Sequence, residues 1–271
     1  MEKILQSDYY KISNLLNEGI KYPEVISIIE GNNPGVIFVD DIDKPKTALV
    51  WNQGMRGFYF VGDNESKLFL QKINRFMNAY IARFLKDMDI EYFEVSGTTQ
   101  SWENTIESIF GDNDLRSWKQ FIYRWDNSIK IKEEANEFKY SIYSLSHKEA
   151  NHHKYTNWKY YENVLNEFWG SVDQLGDKGN CYYAAHRKKI IGVCYSAFIT
   201  SNIKTIGIET DEEYRKQGVG YNLALRCISD VLAEGKLPWW DCMEKNLSSR
   251  ALAEKLGFVK SKEYICYRFS I

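Results

Sequence analysis

The residues with the clearest chemical content run from Ile206 to Ala224, in the order Ile206-Gly207-Ile208-Glu209-Thr210-Asp211-Glu212-Glu213-Tyr214-Arg215-Lys216-Gln217-Gly218-Val219-Gly220-Tyr221-Asn222-Leu223-Ala224. A strand pattern leads into a tight loop with two glycines, and a helix pattern follows. Glycines in such a loop let backbone N–H groups approach an anion with no Cβ in the way. The helix start adds its unsatisfied amides and the positive end of its dipole. Arg215 and Lys216 supply formal charge. This arrangement suits a phosphate or a pyrophosphate.

Three kinds of ligand carry that group. A dinucleotide loop needs Gly-x-Gly-x-x-Gly directly after its strand, but the third position here is Leu223, and Gly218 comes eight residues after Thr210. Asp241 stands 21 residues after Gly220, where a ribose-binding acid would stand, and keeps a nucleotide-binding enzyme among the readings. A Walker loop is excluded, because no Gly-Lys-Ser/Thr follows. The third kind is an acyl-CoA. A second block, Asn246-Leu247-Ser248-Ser249-Arg250-Ala251-Leu252-Ala253-Glu254-Lys255-Leu256-Gly257-Phe258, follows the strand Trp239-Trp240-Asp241-Cys242.

Arg215-x-x-Gly218-x-Gly220 resembles the acyl-CoA pyrophosphate loop of the GNAT N-acetyltransferase superfamily. The second block is similar to that superfamily's last helix and Leu-Gly-Phe turn, and Trp239–Cys242 to a subgroup with an Asp-Cys strand and an N-terminal extension. The resemblance covers about residues 138–271. It implies acetyl-CoA as acyl donor, no metal, and a small-molecule amine as acceptor attacking the thioester directly. Backbone groups of Ile208 and Thr210 would hold the pantetheine arm. Amides of Lys216, Gln217, Gly218, Val219 and Gly220 would hold the pyrophosphate, with charge from Arg215, and Asn246 matches a position that contacts the CoA arm. An alkylammonium has a pKa near ~10, so a base must first take its proton. Glu209 is the first candidate and Asp241 the second, as base or as anchor for the ammonium. The tyrosine that protonates the leaving thiolate in many relatives is replaced by Ala253. Tyr221, Tyr264 and Tyr267 are the alternatives, and the sequence does not choose among them. A non-catalytic acyl-CoA-binding or regulatory protein is the second function reading.

The elements that must position these residues follow from periodicity. In the first half, Val36–Val39, Ala48–Trp51 and Gly57–Val61 are predicted strands, 66–87 an amphipathic helix, Tyr92–Val95 a strand, Trp102–Phe110 a helix and Phe121–Trp125 a strand. The second half offers a strand at Tyr140–Leu145, a helical region from about 148 to 175, and strands at Cys181–Arg187, Ile190–Ile199 and Ile203–Thr210. A helix over Gly220–Ala233, a strand at Trp239–Cys242, a helix over Ser248–Leu256 and a strand at Tyr264–Phe269 complete it. Both halves read β-β-β-α-β-α-β, the second once its opening strand and helical region are set aside. The expected fold is mixed α/β: a GNAT-like domain over 138–271, preceded by a smaller, degenerate GNAT-like α/β domain over 1–137 without a cofactor site. The charged stretch 130–137 marks the boundary.

Composition agrees with a globular chain: 271 residues, 44 % hydrophobic and 27 % charged. The net charge of −2 argues against a nucleic-acid binder. Residues 1–140 hold 17 basic and 22 acidic side chains, and residues 141–271 hold 18 and 15, so a polyanionic ligand fits the second half better. No apolar run approaches the ~18 residues of a membrane helix, and the polar start is no signal peptide, so the expected location is cytoplasmic. The five cysteines, with no Cys-x-x-Cys pair, read as buried thiols, and His152-His153 as a solvated pair. The aromatics Trp51, Phe58, Tyr59 and Phe60, and most of Trp158, Tyr160, Tyr161, Phe168 and Trp169, read as core, with one or two of the second group lining a substrate cleft.

Overall fold

Near-continuous apolar runs along the first strands, Val36–Val39, Ala48–Trp51 and Phe58–Val61, demand cover on both faces of a sheet, and that is what a computed structural model of the chain contains. It describes residues 1–16, 22–126, 128, 139–145 and 154–271. These form two compact units, one made of Met1–Gln120 with Glu263–Ile271, the other of Phe121–Lys262.

In the first unit, β1 (Glu2–Lys3) precedes a 3-10 helix over Gln6–Leu15 and α1 (Pro23–Ile29), and then come β2 (Gly35–Val39), β3 (Thr47–Asn52) and β4 (Gly57–Gly62). These four strands pair antiparallel in sequence order. Leu49, Trp51, Phe58 and Phe60 face one core and Ala48, Val50, Tyr59 and Val61 the other, so every residue of β3 is buried. The first core is roofed by α2 (Lys67–Phe76), a π-helical turn (Met77–Ile81), α3 (Ala82–Lys86) and, after β5 (Tyr92–Gly97), by α4 (Ser101–Phe110). The helix expected over 66–87 is therefore present but interrupted. The stacked rings of Phe76, Tyr80 and Phe84 run along the π turn, Tyr80 within it, and all three are edge-on to Phe38. The other core is covered by α1 and the 3-10 segment, neither of which the sequence reading assigned.

β6 (Arg116–Trp125) starts five residues before the expected strand. It carries the chain into the second unit, which holds β7 (Ser141–Ser144), α5 (Trp158–Trp169), α6 (Val172–Lys178), β8 (Cys181–His186), β9 (Lys189–Ile199), β10 (Ile203–Thr210), α7 (Val219–Ala233), β11 (Leu237–Met243), α8 (Leu247–Leu256) and the start of β12 (Phe258–Ser270). The order β11-β10-β9-β8-β7 is antiparallel except for the parallel pair β10/β11. One face packs on α7 and α8, the other on α5 and α6.

The units divide after Gln120, not at 137/138, and residues 263–271 return to the first unit. The cause is packing. Phe121 and Tyr123 are buried with Trp240 and Phe258, whereas Tyr267 and Phe269 are buried with Phe93 and Phe110, and the end of β12 pairs antiparallel with β5 from Cys266↔Ser96 to Ser270↔Tyr92. The stretch 130–137 and His152-His153 lie outside the described residues.

Candidate active site

Two neighbouring parallel strands that stop pairing leave backbone groups without partners, and such an edge accepts any extended chain that carries amides. β10 and β11 do this. Their pairing covers Ile203↔Leu237, Lys204↔Pro238 and Thr205↔Trp239. On its other side β10 continues against β9 as far as Thr210↔Gly192. The segment 206–210, with Ile208 and Thr210, thus extends beyond the paired length. The closed end is fastened by Lys204, 3 % exposed, whose Nζ lies 2.6 Å from Glu234 Oε2 and donates to Asn180 Oδ1 at 2.8 Å.

The loop after β10 starts with Asp211, whose side chain accepts from Glu213 N at 3.2 Å and caps the single 3-10 turn Glu212–Tyr214. Lys216 (φ 60°) and Gly218 (φ 80°) both adopt left-handed backbone, and turns of this kind curl successive N–H groups around a concavity suited to an anion. Gly218 is the N-cap of α7 and brings no side chain to bond the helix's first amides. Gly220 lets the helix approach the strand: a Cβ there would stand 3.1 Å from Thr210 Oγ1 and 3.5 Å from Ile208 Cδ1. Arg215 bends back over the loop, its Nε donating to Thr210 O at 3.3 Å and its Nη1 meeting Glu212 Oε1 at 3.2 Å. Gln217 Nε2 donates to Glu213 O at 2.8 Å. Lys189, 2.8 Å from Asp211 and 3.6 Å from Glu213, offsets the acidic side of the turn and holds the Asp211 carboxyl below its usual range.

Glu209 pairs across the sheet with Val193, and Gly207 with Tyr195, so Glu209 is on the face that packs against α5. There Tyr160 Oη donates to Glu209 Oε1. That bond, with smaller contributions from burial and the carboxylate charge, pushes the Tyr160 phenol up to about 12. Burial, then the charges of Glu209 and Asp211, also raise Tyr161. Asp241 lies between Trp240 and Cys242, both in the core under α7 and α8, so alternation places it on the same face as Glu209. It sits on β11 beyond Trp239, the last residue paired with β10, and is half-buried.

Asn246 is the N-cap of α8: its Oδ1 accepts from Ser249 N at 3.1 Å and from Ser248 Oγ at 2.9 Å. Ala253, on the inner side of that helix, is fully buried. Of the alternative tyrosines, Tyr221 is buried with Lys255 Nζ 4.4 Å from its ring centroid. Tyr264 and Tyr267 belong to the first unit, where Tyr264 meets Tyr22 edge-on and Tyr267 Oη donates to Glu107 Oε1 at 3.0 Å. All five cysteines are free and buried, and burial raises the Cys242 thiol. Among the described residues no group of three His, Cys, Asp or Glu side chains could hold a metal, and no helix is long and apolar enough to cross a membrane.

The sequence reading places Tyr160 among aromatics that are mostly core, with one or two lining a cleft, and does not single it out. The buried positions of α5 are Trp158, Tyr161, Leu165 and Trp169, and Tyr160 lies off that stripe, 54 % exposed. Its offset from the helical spacing is a signal present in the sequence.

The family model described as GNAT acetyltransferase matches residues 14–267. An uncharacterized N-acetyltransferase of Bacillus subtilis (strain 168), YdfB, is 26 % identical over 269 residues, 98 % of either chain. A GCN5-related N-acetyltransferase-like protein from Streptococcus suis 89/1591 superposes with a TM-score of 0.67 at 22 % identity, covering 97 % of this chain and 98 % of that one. A tandem GNAT protein from the clavulanic acid biosynthesis pathway gives 0.65 at 11 % identity, covering 99 % and 97 %. At these identities the two structures speak for the fold.

Proposed function

Because the chain belongs to the GNAT acetyltransferase family, we propose that it transfers the acetyl group of acetyl-CoA to a primary amine of a small molecule by direct attack. The observation that carries this is the parting of β10 from β11 beside a loop of left-handed backbone and uncapped helix amides. Acetyl-CoA supplies an activated thioester. Backbone groups of Ile208 and Thr210 hold its pantetheine amides as an added strand, and a free N–H of the same edge donates to the carbonyl oxygen as it gains charge. Amides from Lys216 to Gly220 take the pyrophosphate. Arg215 leaves Glu212 to add its charge, an exposed ion pair that is cheap to exchange. Asn246 keeps its capping bond and offers its amide nitrogen to the CoA arm. Glu209 removes a proton from the acceptor ammonium, and Asp241, on the same face, anchors the cation or serves as the second base. A reducing cytoplasm, consistent with five free thiols, belongs to the same proposal.

A second reading, an acyl-CoA-binding protein without turnover, is favoured by one observation: the buried Ala253 brings no hydroxyl to the leaving thiolate. A thiol of pKa near ~8.5 leaves without one, so the enzyme remains the first reading.

Thermal unfolding with acetyl-CoA, against NADH and ATP, tests the donor. At 100 times its Kd the ligand should stabilise by ~2.7 kcal/mol, a rise of about 2–4 °C. A rise with NADH alone would make Asp241 a ribose ligand instead. A screen of primary amines for thiol release then tests turnover. Glu209→Gln should cut turnover by about 100-fold or more while leaving the acetyl-CoA shift intact. Undiminished turnover would remove Glu209 from the base role.

A further inference from the structure

We propose that Tyr160 is the positioning residue for Glu209: its hydroxyl occupies one carboxylate oxygen, so that the other is presented to the acceptor amine. This rests on the reading of Glu209 as the base. The bond spans 49 residues of sequence, from α5 to β10. Both of its ends are tied to β9. Asn157, just before α5, makes a reciprocal pair with Ile190, its Nδ2 donating to Ile190 O at 2.8 Å and its Oδ1 accepting from Ile190 N at 2.9 Å. Thr156 N donates to Lys188 O at 3.0 Å, and Thr156 Oγ1 to the same oxygen at 3.2 Å. Tyr160 comes less than one helical turn later, while Glu209 is held against Val193 of β9 by the sheet register. Donor and acceptor are thus fixed to one strand, and neither depends on a long loop for its place.

Burial does not explain the tyrosine. Tyr160 is more than half exposed, and its ring leans edge-on against Tyr161, with centroids 5.1 Å apart. What the position supplies is the hydroxyl. A phenol pushed up to about 12 stays protonated at neutral pH and donates throughout. It therefore never competes for the amine's proton. The acceptor N–H bond breaks toward the other oxygen, the proton goes to Glu209, and the electron pair stays on nitrogen for the attack. The titratable groups around Glu209 are Tyr160 and Tyr161 from α5, with Glu167 of that helix acting on Tyr160, then Tyr195 from β9 and Asp211 beyond its own strand. Asp241 is on the same sheet face from β11. Of these, Tyr160 is a donor bonded to the Glu209 carboxylate.

The test needs no known acceptor. In protein labelled with carboxyl-13C glutamate, the Glu209 resonance, identified by its loss in Glu209→Gln, is compared at one pH in the wild type and in Tyr160→Phe. Loss of the donor should displace that resonance and leave the other glutamate carboxyls in place. The thermal shift with acetyl-CoA should stay unchanged, because the loop is untouched. With an amine that turns over, kcat should fall about tenfold with KM little changed. An unmoved Glu209 resonance in Tyr160→Phe overturns the positioning role and leaves the base reading standing. Undiminished turnover in Glu209→Gln overturns the base reading, and this inference with it.

Discussion

The two units place a strand, a turn and a helix in the same order and finish them differently. In the first, β4 and β5 pair at Phe58↔Val95, Tyr59↔Ser96 and Phe60↔Gly97, and Thr98 continues the contact with its N–H and hydroxyl both donating to Phe60 O, at 2.9 and 3.1 Å. In the second, β10 extends five residues past its last pair with β11. The helix starts differ as well. The N-cap of α2 is Ser66, whose Oγ accepts from Phe69 N at 3.4 Å and donates to Asp40 Oδ2 at 2.9 Å. A hydroxyl and a carboxylate of the protein's own already stand at that positive end. The N-cap of α7 is Gly218, with no such side chain. On the proposed reading, binding capacity in this architecture is decided at two points: where a parallel pair stops, and what occupies the helix start beside it.

The largest effect that would sharpen this contrast comes from Gly218→Val. A β-branched residue is strained at φ 80° by ~1–3 kcal/mol, so calorimetry should find acetyl-CoA bound tenfold to a hundredfold more weakly; unaltered affinity would show that the loop's curl is not what holds the ligand. Titration of the wild-type chain should give one acetyl-CoA per chain, and a stoichiometry of two would break the comparison by assigning a site to the zipped unit. A pH effect of intermediate size belongs to the first unit. Glu24 is buried, accepts from Tyr59 Oη at 3.1 Å, and is pushed up to about 7 by burial. Its folded value lies above the unfolded one near 4.5, so the native state holds the extra proton between them. Stability should therefore fall as pH rises from about 4.5 to 7, and Glu24→Gln should flatten that slope in thermal melts. The smallest change is Ser66→Ala, which removes a cap worth ~1 kcal/mol. It should lower the melting temperature by a few degrees without creating a second acetyl-CoA site.

What could be read from the sequence follows the range of each signal. The glycine loop and α7 are local: side-chain size at Gly218 and Gly220 and a helical stripe through Leu223, Cys227 and Val231 announce them within 20 residues. The opening beside them is not local. It depends on where two strands separated by a 15-residue helix cease to pair, and nothing in Ile206–Thr210 records that. The ten-residue segment at Gln6–Leu15 is a 3-10 helix, whose period of three a search for 3.6 does not register, and α1 has only seven residues. Tyr160 was legible as a misfit on α5, but its partner lies 49 residues away and only folding names it. The unit boundary escaped for a different reason: charge and composition change around 130, whereas the packing of Phe121 and Tyr123 assigns their strand segment to the second core.

The return of residues 263–271 to the first unit has a consequence for how the chain is made. During synthesis the first 120 residues emerge with β5 lacking its antiparallel partner, and that partner is the last stretch of β12. At roughly 5–20 residues per second, the exposed edge waits some seconds before Tyr267 and Phe269 arrive to cover Phe93. A nascent chain stalled short of residue 263 would carry an unfinished sheet edge, which is the kind of surface that ribosome-associated chaperones exist to shield.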